Sequence, residues 1–193
     1  MKISRYWGAA PLITLAYTTI YYCLLGRWAE TLWLCDVCNL VLGIGLLMAS
    51  ARLIWISTIL LLVGTPIWVF DLFVRHGDYF TPQATAIHLG STFLGMIAMR
   101  DMKKPNYVWP QCIVLCLLTQ GMSRLITPPD QNINVVFRVY VGLEAYFSSF
   151  LSYWSFNLLG FSVATLVLEQ VIARWWIETR YNPPSATIAC PEI

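Results

Sequence analysis

The chain has 193 residues, 58% of them hydrophobic and 11% charged, with a formal net charge of +2. An ordinary soluble domain is about 45–50% apolar and about 25% charged, so the composition excludes a typical soluble enzyme and points to a polytopic membrane protein. The near-balanced charge gives no footing for a nucleic-acid partner, and nine Trp and ten Tyr suit interfacial belts, where a ring is half dry and half wet.

A hydrocarbon core about 30 Å thick needs a helix of about 20 apolar residues. Lys2 and Arg5 precede the first apolar run without a small-residue cleavage site, so that run reads as an anchor that stays. It covers residues 8–26. The second run, 31–50, holds Cys35, Asp36, Cys38 and Asn39. The third, 53–74, contains Pro66 and ends near Asp71. The fourth, 82–99, carries His88. The fifth and sixth cover 108–126 and 153–175. Residues 135–152 are aromatic and apolar but include Arg138 and Glu144. They read as the start of a long sixth helix or an interfacial helix leading into it, with a seventh crossing as a further option. The expectation is an all-α, six-span bundle over residues 1–181, followed by a mobile, proline-bearing tail over 182–193.

Orientation follows the basic residues in the short loops. One set of flanks holds Lys2, Arg5, Arg52, Arg100, Lys103, Lys104, Arg174 and Arg180; the other holds Arg27, Arg75, Arg124 and Arg138. Eight against four places both termini in the cytoplasm, in a bacterial inner membrane. Five of the six cysteines (Cys23, Cys35, Cys38, Cys112 and Cys116) lie in or beside apolar runs, which is not a disulfide framework.

The second run is costly for a membrane. A carboxylate such as Asp36 inside a span marks a functional site by default. On a helix, Cys35, Cys38 and Asn39 share a face, with Asp36 on its flank. With cytoplasmic termini, Cys35 and His88 lie roughly 6 Å and 9 Å below the outer ends of their spans. Asp71, Gln120, Arg124 and Asn157 fall in the same outer third, while Glu169 sits near the inner end with Arg174. Thr85, His88, Ser91, Thr92 and Gly95 form a stripe of polar and small residues on the fourth run. Together these predict a polar pocket in the outer leaflet half, lined by Asn39, Thr92, Arg124 and Asn157. Pro66 frees a backbone carbonyl near that depth, which a neighbour must satisfy.

Three chemistries fit such a pocket. Cys35 could attack an ester carbonyl with His88 as its base and Asp36 or Asp71 orienting the imidazole. The substrate would then be a membrane lipid, and neither cofactor nor metal is required. Alternatively Cys35 and Cys38, spaced C-x-x-C, form a redox pair linked to a quinone. Cys112 and Cys116 are then expected far from that pair, at the other end of the fifth span. In the third, the pocket binds a ligand or ion without catalysis, as a transporter or receptor would, including zinc on Cys35, Cys38 and His88. Taken singly, each residue also has a structural role available: Cys112 and Cys116 as packing groups, Arg124 as an interfacial anchor, and Asp71 as a helix-end carboxylate beside Arg75.

The pattern Leu34-Cys35-Asp36 opening the second span, followed by an outer-leaflet His88 in the fourth of six, resembles the YwaF-like integral membrane proteins. That family is similar to eukaryotic lipid acyltransferases and, more distantly, to the androgen-induced-gene hydrolases of fatty esters. The resemblance covers about residues 31–99 and implies a small helical bundle with Cys35 as nucleophile and His88 as base. Where the family often has His two residues before the Cys, this chain has Trp33. The Pro- and Asn-rich connection from Thr127 to Asn134 also looks similar to one in the family. The function expected from the sequence is therefore lipid acyl transfer or ester hydrolysis.

Overall fold

The structure, a computed structural model, describes residues 4–74, 81–100 and 102–181, with the side chains of the last helix described as far as Trp175. Every regular element among the described residues is helical. After a 3-10 turn at Arg5–Gly8 come α1 (Ala9–Leu24), a second 3-10 turn at Trp28–Leu32, α2 (Leu34–Leu47) and α3 (Ala51–Val74). A single rod follows, made of α4 (Pro82–Thr85), a π-helical stretch (Ala86–Ser91) and α5 (Thr92–Arg100). It starts where Thr81 caps the Ala84 N–H at 3.2 Å and Pro82 occupies the first turn, where its missing N–H costs nothing. The last helices are α6 (Val108–Ile126) and α7 (Phe150–Tyr181).

Two helices, Ala51–Val74 and Phe150–Trp175, are long and apolar enough to cross a membrane. The second expected span is realised as a 14-residue helix behind a 3-10 turn, and the fourth as a rod broken by the π stretch. Residues 135–149 form no long helix. Two three-residue 3-10 turns, Ile133–Val135 and Glu144–Tyr146, punctuate an irregular crossing segment instead. Asn132, Asn134, Val135 and Gly142 all have positive φ, which no α-helix accommodates. The expected tail over 182–193 and the Arg75 partner of Asp71 lie outside the described residues.

α3 is the central helix: it packs on α2, α5, α6 and α7. Its Ile54, Trp55, Ile59, Leu60 and Leu61 form one core with Leu42 and Leu46 of α2, Met99 of α5 and Cys112 of α6. Glycines set two of the closest approaches. A Cβ on Gly8 would lie 2.6 Å from the Gly43 carbonyl oxygen, and one on Gly95 would overlap the Thr58 hydroxyl. α3 continues through Pro66 without a break in the helix, while the neighbouring Thr65 hydroxyl bonds the Leu61 carbonyl at 2.8 Å.

These contacts fix helix direction. Gly45 meets Leu53 and Ile54, so α2 and α3 are an antiparallel hairpin. Trp68 meets His88, Thr65 meets Thr92, and Thr58 meets Gly95, so the rod also runs antiparallel to α3. α2 and the rod are therefore parallel, and Asn39 bonds Ser91 between them.

Candidate functional site

The site is built on the first turn of α2. Its N-cap, Trp33, offers no side-chain acceptor to the exposed N–H groups of a helix start. The cap comes from far along the chain. Asn134 Oδ1 accepts the Leu34 N–H at 2.8 Å, while its Nδ2 donates to the Leu32 carbonyl at 2.7 Å and to Ser123 Oγ at 2.8 Å. Asn134 stands at φ 53, a left-handed conformation that Asn tolerates better than most residues. Sequence reasoning noted this Pro- and Asn-rich connection but gave Asn134 no role.

Within that turn Cys35 is half-buried and Asp36 buried, with the Cys35 Sγ 3.9 Å from Asp36 Oδ2. Asp36 Oδ1 has no partner. A second acid, absent from the expected site, is buried in the connection before α2. Glu30 is 6% exposed; its Oε1 pairs with Arg27 and its Oε2 is unpartnered. Glu30 and Asp36 are within electrostatic reach of each other, and Tyr22 of α1 senses both, along with Cys35 and Arg27. The Arg27 guanidinium also lies 5.9 Å from the Tyr22 ring centroid. The available signal was an acid three residues after Arg27 in a short connection between apolar runs.

His88 is buried in the π stretch, stacked on Trp68 with ring centroids 4.8 Å apart and planes 6° apart. Its Nδ1 has no partner. Its carbonyl accepts from the Thr65 hydroxyl at 2.9 Å, and that hydroxyl lies 3.2 Å from Thr92 Oγ1. Single π turns are rare and concentrate at functional positions. Asn39 ties the two halves together: Nδ2 donates to the Pro11 carbonyl at 2.9 Å and Oδ1 accepts from Ser91. In parallel helices, stepping three residues back from Asn39 and from Ser91 reaches Asp36 and His88. The acid, the neighbouring thiol and the imidazole therefore share one level, on elements packed against each other.

The remaining expected site residues have the following partners and places. Among the described residues no hydrogen bond joins Cys35 to His88, or His88 to Asp71. Asp71 accepts from the Tyr140 hydroxyl instead. Arg124 donates to the Val136 carbonyl and lies over the rings of Phe137, at 5.4 Å, and Phe150, at 5.9 Å. Both residues hold the segment between α6 and α7 in place. Asn157 is half-buried on α7, one turn after the buried Tyr153. Gln120 accepts from Trp154 Nε1 at 3.0 Å. Glu169 pairs with Lys104 and accepts the Trp109 N–H at 2.7 Å.

Cys38 faces the core, where Cys112 and Cys116 are within its electrostatic reach. The separation expected between these cysteines is thus corrected. Cys38 lies about one helical turn deeper than Cys35, and the middle of α6 passes beside it. All five described cysteines are free. The zinc option needs Cys35, Cys38 and His88 to converge, and among the described residues no three His, Cys, Asp or Glu side chains are arranged to hold a metal ion. Comparison with protein-family models, with curated proteins and with solved structures finds no match.

Proposed function

We propose that the chain is an integral membrane protein, a six-helix bundle with both termini in the cytoplasm, that transfers or hydrolyses the acyl group of a membrane lipid through Cys35. The observation that carries this is the shared level of Cys35, Asp36 and His88 on parallel neighbouring helices. Cys35 is half-buried as a residue, and one imidazole nitrogen of His88 has no partner. The resemblance of Leu34-Cys35-Asp36 and His88 to the YwaF-like proteins supports the same assignment.

In this mechanism the Cys35 sulfur attacks the ester carbonyl and its proton passes to His88. The carbon–oxygen bond to the lipid alcohol breaks, and the imidazolium returns the proton to the leaving alkoxide. The products are an acyl-thioester on Cys35 and a free alcohol. Water or a second lipid hydroxyl then attacks the thioester, giving an acid or a new ester and regenerating the thiol. Proton transfer requires the thiol and imidazole to close up when substrate binds, as catalytic hydrogen bonds often do.

A quinone-linked thiol–disulfide oxidoreductase is the second option, favoured by Cys38 and Cys112 sharing one core cluster. One experiment separates the two. The purified chain is exposed to a thiol-directed lipid-mimic acylating probe. Acyl chemistry predicts that Cys35→Ala abolishes labelling, Cys38→Ala leaves it intact, and His88→Ala slows it by about 10²–10⁴-fold. Equal damage from Cys38→Ala favours the redox option, and full labelling of Cys35→Ala rejects acyl transfer through this thiol.

A further inference from the structure

We propose that Trp68 is a further catalytic residue, whose indole N–H donates to the oxyanion formed when Cys35 attacks the lipid ester. The assignment deepens the acyl-transfer reading and rests on it. Trp68 stacks on His88 with ring centroids 4.8 Å apart and planes 6° apart. Trp68 Nε1 and His88 Nδ1 are both buried, and neither has a hydrogen-bond partner among the described residues. The stack explains why they do not satisfy each other. Each nitrogen bonds in the plane of its own ring, and the two planes are nearly parallel. An indole nitrogen is a donor and never an acceptor, so Trp68 requires an acceptor that the resting protein does not supply. Buried donors are almost always paired, and one left without an acceptor loses its hydration uncompensated.

Position assigns the acceptor. Trp68 lies at the level of His88, and His88 lies at the level of Cys35 and Asp36 through the bond between Asn39 and Ser91. The oxygen that gains charge is bonded to the carbon that Cys35 attacks, so it forms at that level too. Other donors are committed or remote. Asn39 Nδ2 already donates to the Pro11 carbonyl at 2.9 Å. The Thr58 hydroxyl lies against Gly95, about two turns, roughly 10 Å, further along the rod than His88. In the first step the sulfur–carbon bond forms and the carbonyl π pair moves onto oxygen. Trp68 meets that charge with a hydrogen bond and transfers no proton. When the oxyanion collapses, the carbon–oxygen bond to the lipid alcohol breaks and His88 returns its proton to the alkoxide. A donor with no partner at rest has no bond to give up first, and its bond to oxygen strengthens as charge develops, which lowers the barrier.

The test offers the full-length protein in lipid nanodiscs two probes with the same alkyl tail. A nitrophenyl ester acylates sulfur through an oxyanion; an iodoacetamide alkylates sulfur by displacing iodide and builds none. Trp68→Phe keeps a ring on His88 and removes the N–H. At saturating probe it should slow acylation by about 10²–10³-fold and leave alkylation at the wild-type rate. Unchanged acylation overturns the proposal. Equal slowing of both reactions also overturns it, because Trp68 would then only support His88. Should Trp68→Phe fail to fold, benzothienylalanine placed at position 68 exchanges the N–H for sulfur in a ring of nearly the same shape. The same two rates then decide, and thermal unfolding should match wild type, since the lost N–H has no partner at rest. A lower unfolding temperature would mean that the N–H is already bonded, which overturns the proposal. Ester labelling that persists in Cys35→Ala removes the acyl-transfer reading and this role with it. Labelling that needs Cys35 but is not slowed by Trp68→Phe removes the role of Trp68 alone.

Discussion

Asn39 illustrates how one buried amide can be both conspicuous and misleading. Its position on one helix face with Cys35 and Cys38 suggested a side chain lining the pocket. In the structure its amide group donates to the Pro11 carbonyl and its oxygen accepts from Ser91, so it clasps α1, α2 and the rod. Gly95 is the opposite case, where the expected role of a small residue is the observed one. Its missing side chain admits Thr58, and the Thr58 hydroxyl has no hydrogen-bond partner of its own. Gly95→Ala should therefore destabilise the bundle by about 1–3 kcal/mol through overpacking. Thr58→Ala in the same chain should recover most of that loss, because two contacting sites do not add independently. Thermal unfolding of the two single variants and the double variant in detergent checks this; a double variant no better than Gly95→Ala removes the contact as the cause. Gly90, on the same rod, meets open space and should tolerate Ala.

At the scale of elements, apolar runs located the helices well, because burial of side chains and helix length are both written in local composition. The second run was too long by several residues, since Arg27–Leu32 is a tight connection carrying a half-buried ion pair rather than the top of a span. The segment after α6 failed for a different reason. Its aromatic and apolar residues suit a helix, but side-chain bonds from two asparagines hold the backbone out of one. Asn132 accepts the N–H groups of Phe137 and Arg138 at 3.0 and 3.1 Å, and Asn134 reaches the first turn of α2. Long-range capping of this kind leaves no period in the sequence. Asn134→Ala should strip the Leu34 N–H and the Leu32 carbonyl of their partner and cost about 1–3 kcal/mol. Hydrogen exchange should quicken at Leu34 and in the turn that holds Cys35 and Asp36. Unchanged protection there, with the fold intact, would mean that the cap is replaced by water at no cost.

For the whole molecule the surface matters as much as the core. Ile13, Tyr17, Ile20 and Leu24 of α1 and Phe156, Leu159 and Val163 of α7 are all exposed apolar side chains. Single exposed apolar residues are ordinary, but rows of them repeated along helices suit contact with lipid. The orientation proposed for the bundle rests on its cations, and the structure changes how many of them are unbalanced. Lys104 is paired with Glu169 on one side and Arg27 with Glu30 on the other. One such pair falls in each flank set, so these two pairs do not tip the eight-to-four count of basic residues. Because acids weigh little in setting orientation, the same direction follows whether or not the pairs are discounted. A fluorescent reporter that matures only in the cytoplasm should be bright when fused after residue 193, and a phosphatase active only outside should be silent there. The same phosphatase inserted between α6 and α7, within residues 127–149, should be active. Placing Cys35 on the outer side depends on this outcome: in the proposed six-span arrangement two crossings, α3 and the rod, lie between α2 and α6, which puts the first turn of α2 and the last turn of α6, joined through Asn134, on one side. Phosphatase activity at residue 193 with none at the inserted site would invert the bundle, moving the thiol and its two acids to the cytoplasmic face.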